Sequence, residues 1–353
     1  MQGTIEAPLP FVTDTARIFD YPGYLRVQGV SAIMPFAKLQ AQSAAPLSVQ
    51  GALYAAKHAF EHSVERILPA QDAALLEGIL LGERRGLPAA LTAAFIIASL
   101  IHVVVLSGYN ISIISESVLR STRFLPRALQ YGLGIVLMLL FILMTGAGST
   151  SLRAGIMALI AILARYLGRP AAALRSLAMA AMLLVLLNPL VLLCDPSFVL
   201  SFLATFGLIT LAPAVERRLT WLRTLPQMRS IAASTTAVQL YVLPALLYYT
   251  GIFSFVALPA NILALPLVPF AMLAGFIAGV LGMVHPLLGL LPALLSDLVL
   301  RWMTWVANTA ASLPLSHTTL PPFSPWAAAL VYVPLTAAAI ALYVRSVPRT
   351  PTS

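Results

Sequence analysis

From Ala89 to the C-terminus, mostly apolar runs of about 18 residues or more follow one another closely, and a run of that length crosses a bilayer as a helix. The runs do not alternate, as the roughly ten-residue strands of a membrane β-barrel would. Only 9% of the chain is charged, against about 25% in an ordinary soluble domain, so most of it cannot sit in water. The fold class that follows is an all-α polytopic membrane protein of about nine transmembrane helices with a small N-terminal water-facing segment. The runs fall at about 90–114, 131–146, 152–167, 176–193, 197–213, 232–250, 257–283, 287–311 and 326–344.

The basic residues sort themselves between these runs. From Ala89 onward there are 14 Arg, no Lys and four acids, whereas residues 1–88 hold seven basic and eight acidic side chains. Arg120, Arg123 and Arg127 follow the first run, and Arg165, Arg169 and Arg175 the third. Arg217, Arg218, Arg223 and Arg229 follow the fifth, and Arg345 and Arg349 the last. Nine crossings put every cluster on one side, which the positive-inside rule makes the cytoplasm. The net charge of +9 thus reads as topology rather than as a nucleic-acid patch. The C-terminus is expected inside and the N-terminus outside. The first residues show no basic region followed by an apolar core, so the means by which residues 1–88 cross is left open, and a missing upstream segment would explain it.

Residues 1–50 are polar and mixed. Residues 51–88 combine an amphipathic helix, with Leu53, Ala56, Phe60, Val64 and Ile67 at helical spacing, and the short stretch "DAALLEGILLGERRGLP". That stretch is too short to span and suits an interfacial or re-entrant segment. Cys194 is the sole cysteine, so neither a disulfide within the chain nor a Cys-based metal site is open to it. His285 and His317 are isolated, and no GxxxxGK[ST] phosphate loop occurs. The expectation is a protein without metal, cofactor or catalytic residues.

Polar groups inside apolar runs are functional candidates by default. In "LIHVVVLSGYNISIIS" the run is interrupted by Ser107, Gly108, Tyr109 and Asn110, with His102 upstream. Non-helical backbone at membrane depth survives only in protein or beside a wet cavity, and broken helices build transporter binding sites. Arg153 is expected either to snorkel to the outer interface or to serve function. Asp195 before Pro196 is a natural helix cap. Asp297 and Arg301 are spaced to pair along a helix, and Gln239 and Asn261 suit hydrogen bonds between helices.

"GILLGERRGLP" followed by "SLIHVVVLSGYNISII" resembles the membrane domain of ComEC-type competence proteins, whose pattern reads roughly LLLGxRxxLP and then HLLAISGLHVGLI. "TGAGSTSLRAGIMALIAILARYLGRP" is similar to that family's TG…SxxRAxxM…ARxxxR stretch, and "NPLVLLCDPSFVLSFLATFGLI" to its NPxxLxDxxFQLSFxATxGL stretch. "FDYPGYLRVQGV" resembles the linker that leaves its N-terminal extracellular domain. These blocks cover about residues 19–215.

The resemblance implies a channel that imports single-stranded DNA across the bacterial cytoplasmic (inner) membrane in natural transformation. It implies functional candidates at His102, Ser107, Gly108, Arg153, Asp195 and Ser201, to which the interrupted run adds Asn110, and motif positions at Gly82, Glu83 and Phe202. It divides the chain into a remnant of the extracellular domain and its linker (1–50), the amphipathic or re-entrant segment (51–88), the channel domain (89–345) and a cytoplasmic tail (346–353). The implied partners are single-stranded DNA, the lipid bilayer, a separate nuclease and a cytoplasmic motor protein, with homo-oligomerisation left open. Asn110 stands where the family commonly has a second His, and Val199 where it commonly has Gln. A small-solute transporter and an incomplete or degenerate family member remain as alternative readings.

Overall fold

The computed structural model describes residues 4–13, 15–35, 48–83, 86–104, 108–146, 149–168 and 173–346. Strand β1 (Phe11–Val12) pairs antiparallel with β2 (Ile18–Phe19), and the Asp20 side chain caps helix α1 (Tyr21–Val27) by accepting from the Gly23 amide at 3.0 Å. The buried guanidinium of Arg17 donates to the main-chain carbonyls of Tyr248 (2.9 Å), Leu320 (3.1 Å) and Pro321 (3.3 Å). A planar fork of donors thus fastens the N-terminal piece to carbonyls that a helix end and a loop leave unpaired.

Helix α2 (Val49–Glu65) begins where Ser48 accepts from the Gly51 amide at 3.0 Å. Helix α3 (Ala70–Leu81) stops at Gly82, whose φ of 76° few other residues adopt cheaply. Every α3 residue from Asp72 to Leu81 is buried, as befits an apolar helix enclosed by others.

The first apolar run is not one helix. It forms α4 (Ala89–Ile97), the single turn α5 (Ile101–Val104) and α6 (Gly108–Ser121). Ser99, at φ 57°, ends α4 in a Schellman arrangement: its amide donates to Ile96 at 3.0 Å and the Leu100 amide to Phe95 at 2.8 Å. The break therefore begins eight residues before the Ser107 at which the sequence places it.

The chain continues through α7 (Arg127–Met144), α8 (Ser149–Tyr166), α9 (Ala173–Leu187) and α10 (Val191–Cys194). Helices α11 (Pro196–Thr210), α12 (Ala212–Arg218) and α13 (Pro226–Thr250) follow, then strand β3 (Ile252–Ser254), α14 (Ala257–Ala264), α15 (Val268–Val284) and α16 (Pro286–Ser312). Strand β4 (His317–Thr319) pairs antiparallel with β3, and α17 (Pro325–Ser346) closes the chain.

An all-α polytopic membrane architecture results, but the expected nine spans do not. Among the described residues five segments are long and apolar enough to cross: α7, α13, residues 257–284 through α14 and α15, α16, and α17 over residues 325–343. A sixth arises if α11 and α12, bent by 47°, count as one. The shortfall has local causes. The first run is broken at Ser99. Helix α8 carries Arg153 and Arg165. Helix α9 ends at Leu187, before Asn188 and Pro189, although the apolar run continues to about residue 193.

The largest core gathers Phe60 and Val64 from α2, Leu75, Leu76 and Ile79 from α3, Phe95 from α4, Val103 from α5, and Leu300 and Met303 from α16. Helix α15 joins it through Gly275, Gly279 and Gly282, where any side chain would collide with Leu76, Phe60 and Ile67 respectively. Small residues of this kind let apolar helices approach closely in a bilayer. The outward faces of α15 and α16 are lined with exposed Leu, Phe and Trp side chains, as lipid contact requires.

Candidate functional site

Two groups of sequence-picked residues come together, one at the broken helix and one between α8 and α11. At the first, α3 ends at Gly82, which leaves the carbonyls of its last turn without helical partners. Asn110, fully buried in the first turn of α6, supplies a donor: its Nδ2 lies 3.0 Å from the Ile79 carbonyl and 3.2 Å from the Val103 carbonyl. One amide group thus serves two helix ends. Gly78 permits this seat, because a Cβ there would stand 2.8 Å from the Val104 carbonyl oxygen and 2.9 Å from Val104 Cγ1.

Asn110 therefore faces protein, not the wet cavity its polarity suggests. His102 sits on the exposed side of α5, with Nδ1 2.9 Å from the Ser99 carbonyl. Gly108 opens α6, and Ser107 lies outside the described residues. Glu83, just past Gly82, holds Lys57 of α2 with Oε2 3.1 Å from Nζ. The motif positions Gly82 and Glu83 thus end α3 and tie its end to α2.

The second group centres on Arg153, one turn into α8 and 2% exposed. Its Nη1 donates to the Ser197 carbonyl at a long 3.4 Å, and its guanidinium carbon stands 5.6 Å from the centre of the Phe202 ring. Asp195, also 2% exposed, caps α11 by accepting from the Ser197 amide at 2.9 Å through Oδ1. Its buried Oδ2 meets no hydrogen-bond donor among the described residues. The expected cap is present, and of the two readings of Arg153 its burial speaks against snorkelling. A cation, an aromatic face and an anion share this enclosed corner, with the cation–π contact gaining strength from desolvation. Ser201 is half-buried on the same helix, and its carbonyl accepts from Thr205 Oγ1 at 2.9 Å.

The groups are neighbours through packing. Ile111, next to Asn110, and Ala154, next to Arg153, belong to one buried cluster with Met138 and Ile142. Further along the same helices Arg165 Nη1 of α8 lies 2.8 Å from Glu116 Oε2 of α6, and Arg120 Nε 3.2 Å from Glu116 Oε1. These bonds from Arg165, and then from Arg120, hold the Glu116 carboxyl below its usual range.

Several residues escape a motif search. Asp72 and Glu77 are buried in α3, and nothing in the local sequence separates them from surface acids. Asp72 joins the anticipated Asp297–Arg301 pair, lying 4.0 Å from Arg301 Nε. Asn261 bonds the Ala257 carbonyl of its own helix at 2.7 Å instead of a neighbouring one. Pro244 lies inside α13 and lacks an amide to donate, and there the Tyr332 hydroxyl of α17 accepts from the Ala245 amide at 3.2 Å and donates to the Tyr241 carbonyl at 3.0 Å. Among the described residues no group of three or more His, Cys, Asp or Glu side chains is placed to hold a metal ion.

A family model described as "Competence protein" matches residues 79–345, from the end of α3 into α17. The chain is 27% identical over 286 residues to "ComE operon protein 3" of Bacillus subtilis (strain 168), a match covering 80% of this chain and 35% of that relative. The chain thus spans about a third of the length of the curated relative it matches. No solved structure matches.

Proposed function

The chain belongs to the competence protein family, and on that premise we propose that it forms the membrane conduit for importing single-stranded DNA during natural transformation. The observation that carries the reading is the first apolar run, which breaks at Ser99 between α4 and α5 inside the protein, with Asn110 bonded to the Val103 carbonyl beyond the break and to Ile79 of α3. A helix that only anchors has no need of such a break. Main chain freed from helical pairing at membrane depth is what a pathway for polar cargo requires.

The surrounding chemistry agrees with a polyanionic strand. Single strands bind through phosphate–cation attraction and stacking on aromatic rings. Arg153 and Phe202 place those two chemistries side by side, next to the helix that carries Asn110.

In this reading the conduit is passive. A separate nuclease removes the second strand, and a cytoplasmic motor draws the first inward. The chain sits in a bacterial inner membrane with its Arg-rich connections toward the cytoplasm. A chimera tests the reading: residues 79–345 of this chain replace the matched stretch of the longer relative in a transformable strain. Transformation should survive. Normal insertion with no transformation favours a solute carrier or a non-functional family member.

A further inference from the structure

Helix α3 carries two acids inside the fold, Asp72 and Glu77, and the conduit reading uses neither. Asp72 faces α16. There Arg301 Nε lies 2.8 Å from Asp297 Oδ2 and 4.0 Å from Asp72 Oδ2, so one guanidinium stands beside both carboxyls. The two carboxyl side chains are 8% and 13% exposed, whereas that of Arg301 is 63% exposed. Oδ1 of Asp297 is buried and meets no hydrogen-bond donor among the described residues.

Two shielded carboxylates beside a single guanidinium resist ionising together. Arg301 compensates one negative charge and leaves the other in a shielded place, where an unpaired charge is costly. A proton removes the conflict. It neutralises the second carboxylate and turns an oxygen–oxygen repulsion into a short donated hydrogen bond.

We propose that Asp72 and Asp297 form a proton-binding site between α3 and the spanning helix α16, with Arg301 as its counter-charge, and that the bound proton fastens the two helices together. With the proton in place the three side chains carry no net charge. Without it they carry one negative charge, and α3 is pushed from α16.

The surroundings leave these three groups to themselves. Helices α4 and α15 contribute no titratable side chain. Helix α5 contributes His102, engaged with Ser99. The charged groups of α2 that bear on α3, Lys57, Glu61 and Glu65, act together with Glu83 on Glu77. Burial first, then the charge and hydrogen bond of Asp297, push Asp72 up from 3.8 to about 6 against the opposing pull of Arg301. Occupancy of the site thus changes just below neutrality. Helix α3 also carries Ile79, which holds Asn110, so the proton acts on the element that seats the broken helix. The site goes beyond the conduit reading and does not rest on it.

Infrared difference spectroscopy of the full chain in lipid nanodiscs, with isotope-labelled aspartate, reads the site directly. An aspartic acid carbonyl band should be present in acid and vanish with a midpoint at about pH 6. Asp72→Asn and Asp297→Asn should each abolish it. Asp72→Asn keeps a donor toward Asp297 and should mimic the protonated state. Emission of Trp302 and Trp305, beside Arg301 on α16, should then lose the pH dependence that it shows with Asp72 present, in a background where Trp221 and Trp326 are replaced. If the substituted chains fail to fold, the unaltered chain still decides. No aspartic acid band between the ordinary aspartate range and neutrality, or a midpoint at the ordinary value, overturns the proposal. So does a band that persists in Asp72→Asn.

Discussion

The side-chain amide of Asn110 donates to the main-chain carbonyl of Ile79 at 3.0 Å, so the first turn of α6 is pinned to the last turn of α3. The same amide reaches Val103 at 3.2 Å. Asn110→Leu should leave both carbonyls buried without this donor, at about 1–3 kcal/mol each. Asn110→Asp should be worse, since an ionised carboxylate faces two carbonyl oxygens. Thermal unfolding of detergent-purified protein should order the variants as native, then Leu, then Asp, with membrane insertion retained. Equal unfolding temperatures would show that the contact holds nothing.

Arg153 and Asp195 should be coupled. Removing the cation by Arg153→Gln leaves the buried Asp195 carboxylate without its neighbouring positive charge. Asn caps helices about as well as Asp, so Asp195→Asn removes the charge while keeping the α11 start. The double variant should therefore be more stable than the sum of the single losses predicts, by about 0.5–3 kcal/mol. Additive losses would mean that the two side chains do not sense each other.

Beside Pro244 in α13 the Tyr332 hydroxyl takes the place of a helical hydrogen bond between Ala245 and Tyr241. Tyr332→Phe should cost about 1–3 kcal/mol by leaving a buried donor and acceptor unpaired. In a Pro244→Ala background the ladder can close on itself, and the same substitution should cost less. Denaturation of the four proteins reads the difference. An unchanged cost in the Ala background would contradict the bridging role.

Burial, then Glu65, Glu61 and Glu83, with only Lys57 opposing, raise the Glu77 carboxyl from 4.5 to about 7. The fold then holds this proton more tightly than the unfolded chain does. Its stabilisation is full below about pH 4.5 and is lost as pH rises to about 7. Glu77→Gln should flatten that part of the stability profile and raise stability at neutral pH. A profile with the same slope in the variant would place the titration elsewhere.

Length and apolar content made the helical membrane class legible, because both act at the scale of whole runs. The break near Asn110 was legible in kind, since polar residues inside an apolar run announce it. Its place was not. Ser99 adopts the left-handed geometry usually left to Gly, and nothing in its own sequence marks it. The Asp195 cap was legible because it is local, set by Pro196 and the following amides. Burial of Arg153 and Asp72 was not, because it depends on Phe202 and Asp297, which lie far along the chain. The count of nine spans failed for a related reason. Hydropathy sums a window, but Arg153 in α8 and the early end of α9 decide whether that window is one crossing.

Reconstitution of the purified chain into sealed liposomes tests the conduit most directly. A fluorescent single-stranded oligonucleotide is added outside, and the fraction that resists external nuclease is measured. Protected strand should accumulate, less of it with Asn110→Leu, with no cutting of the DNA and no ATP hydrolysis. A sealed protein that admits neither ions nor single strands would contradict the conduit, and metal-dependent cutting by the chain itself would contradict its passivity.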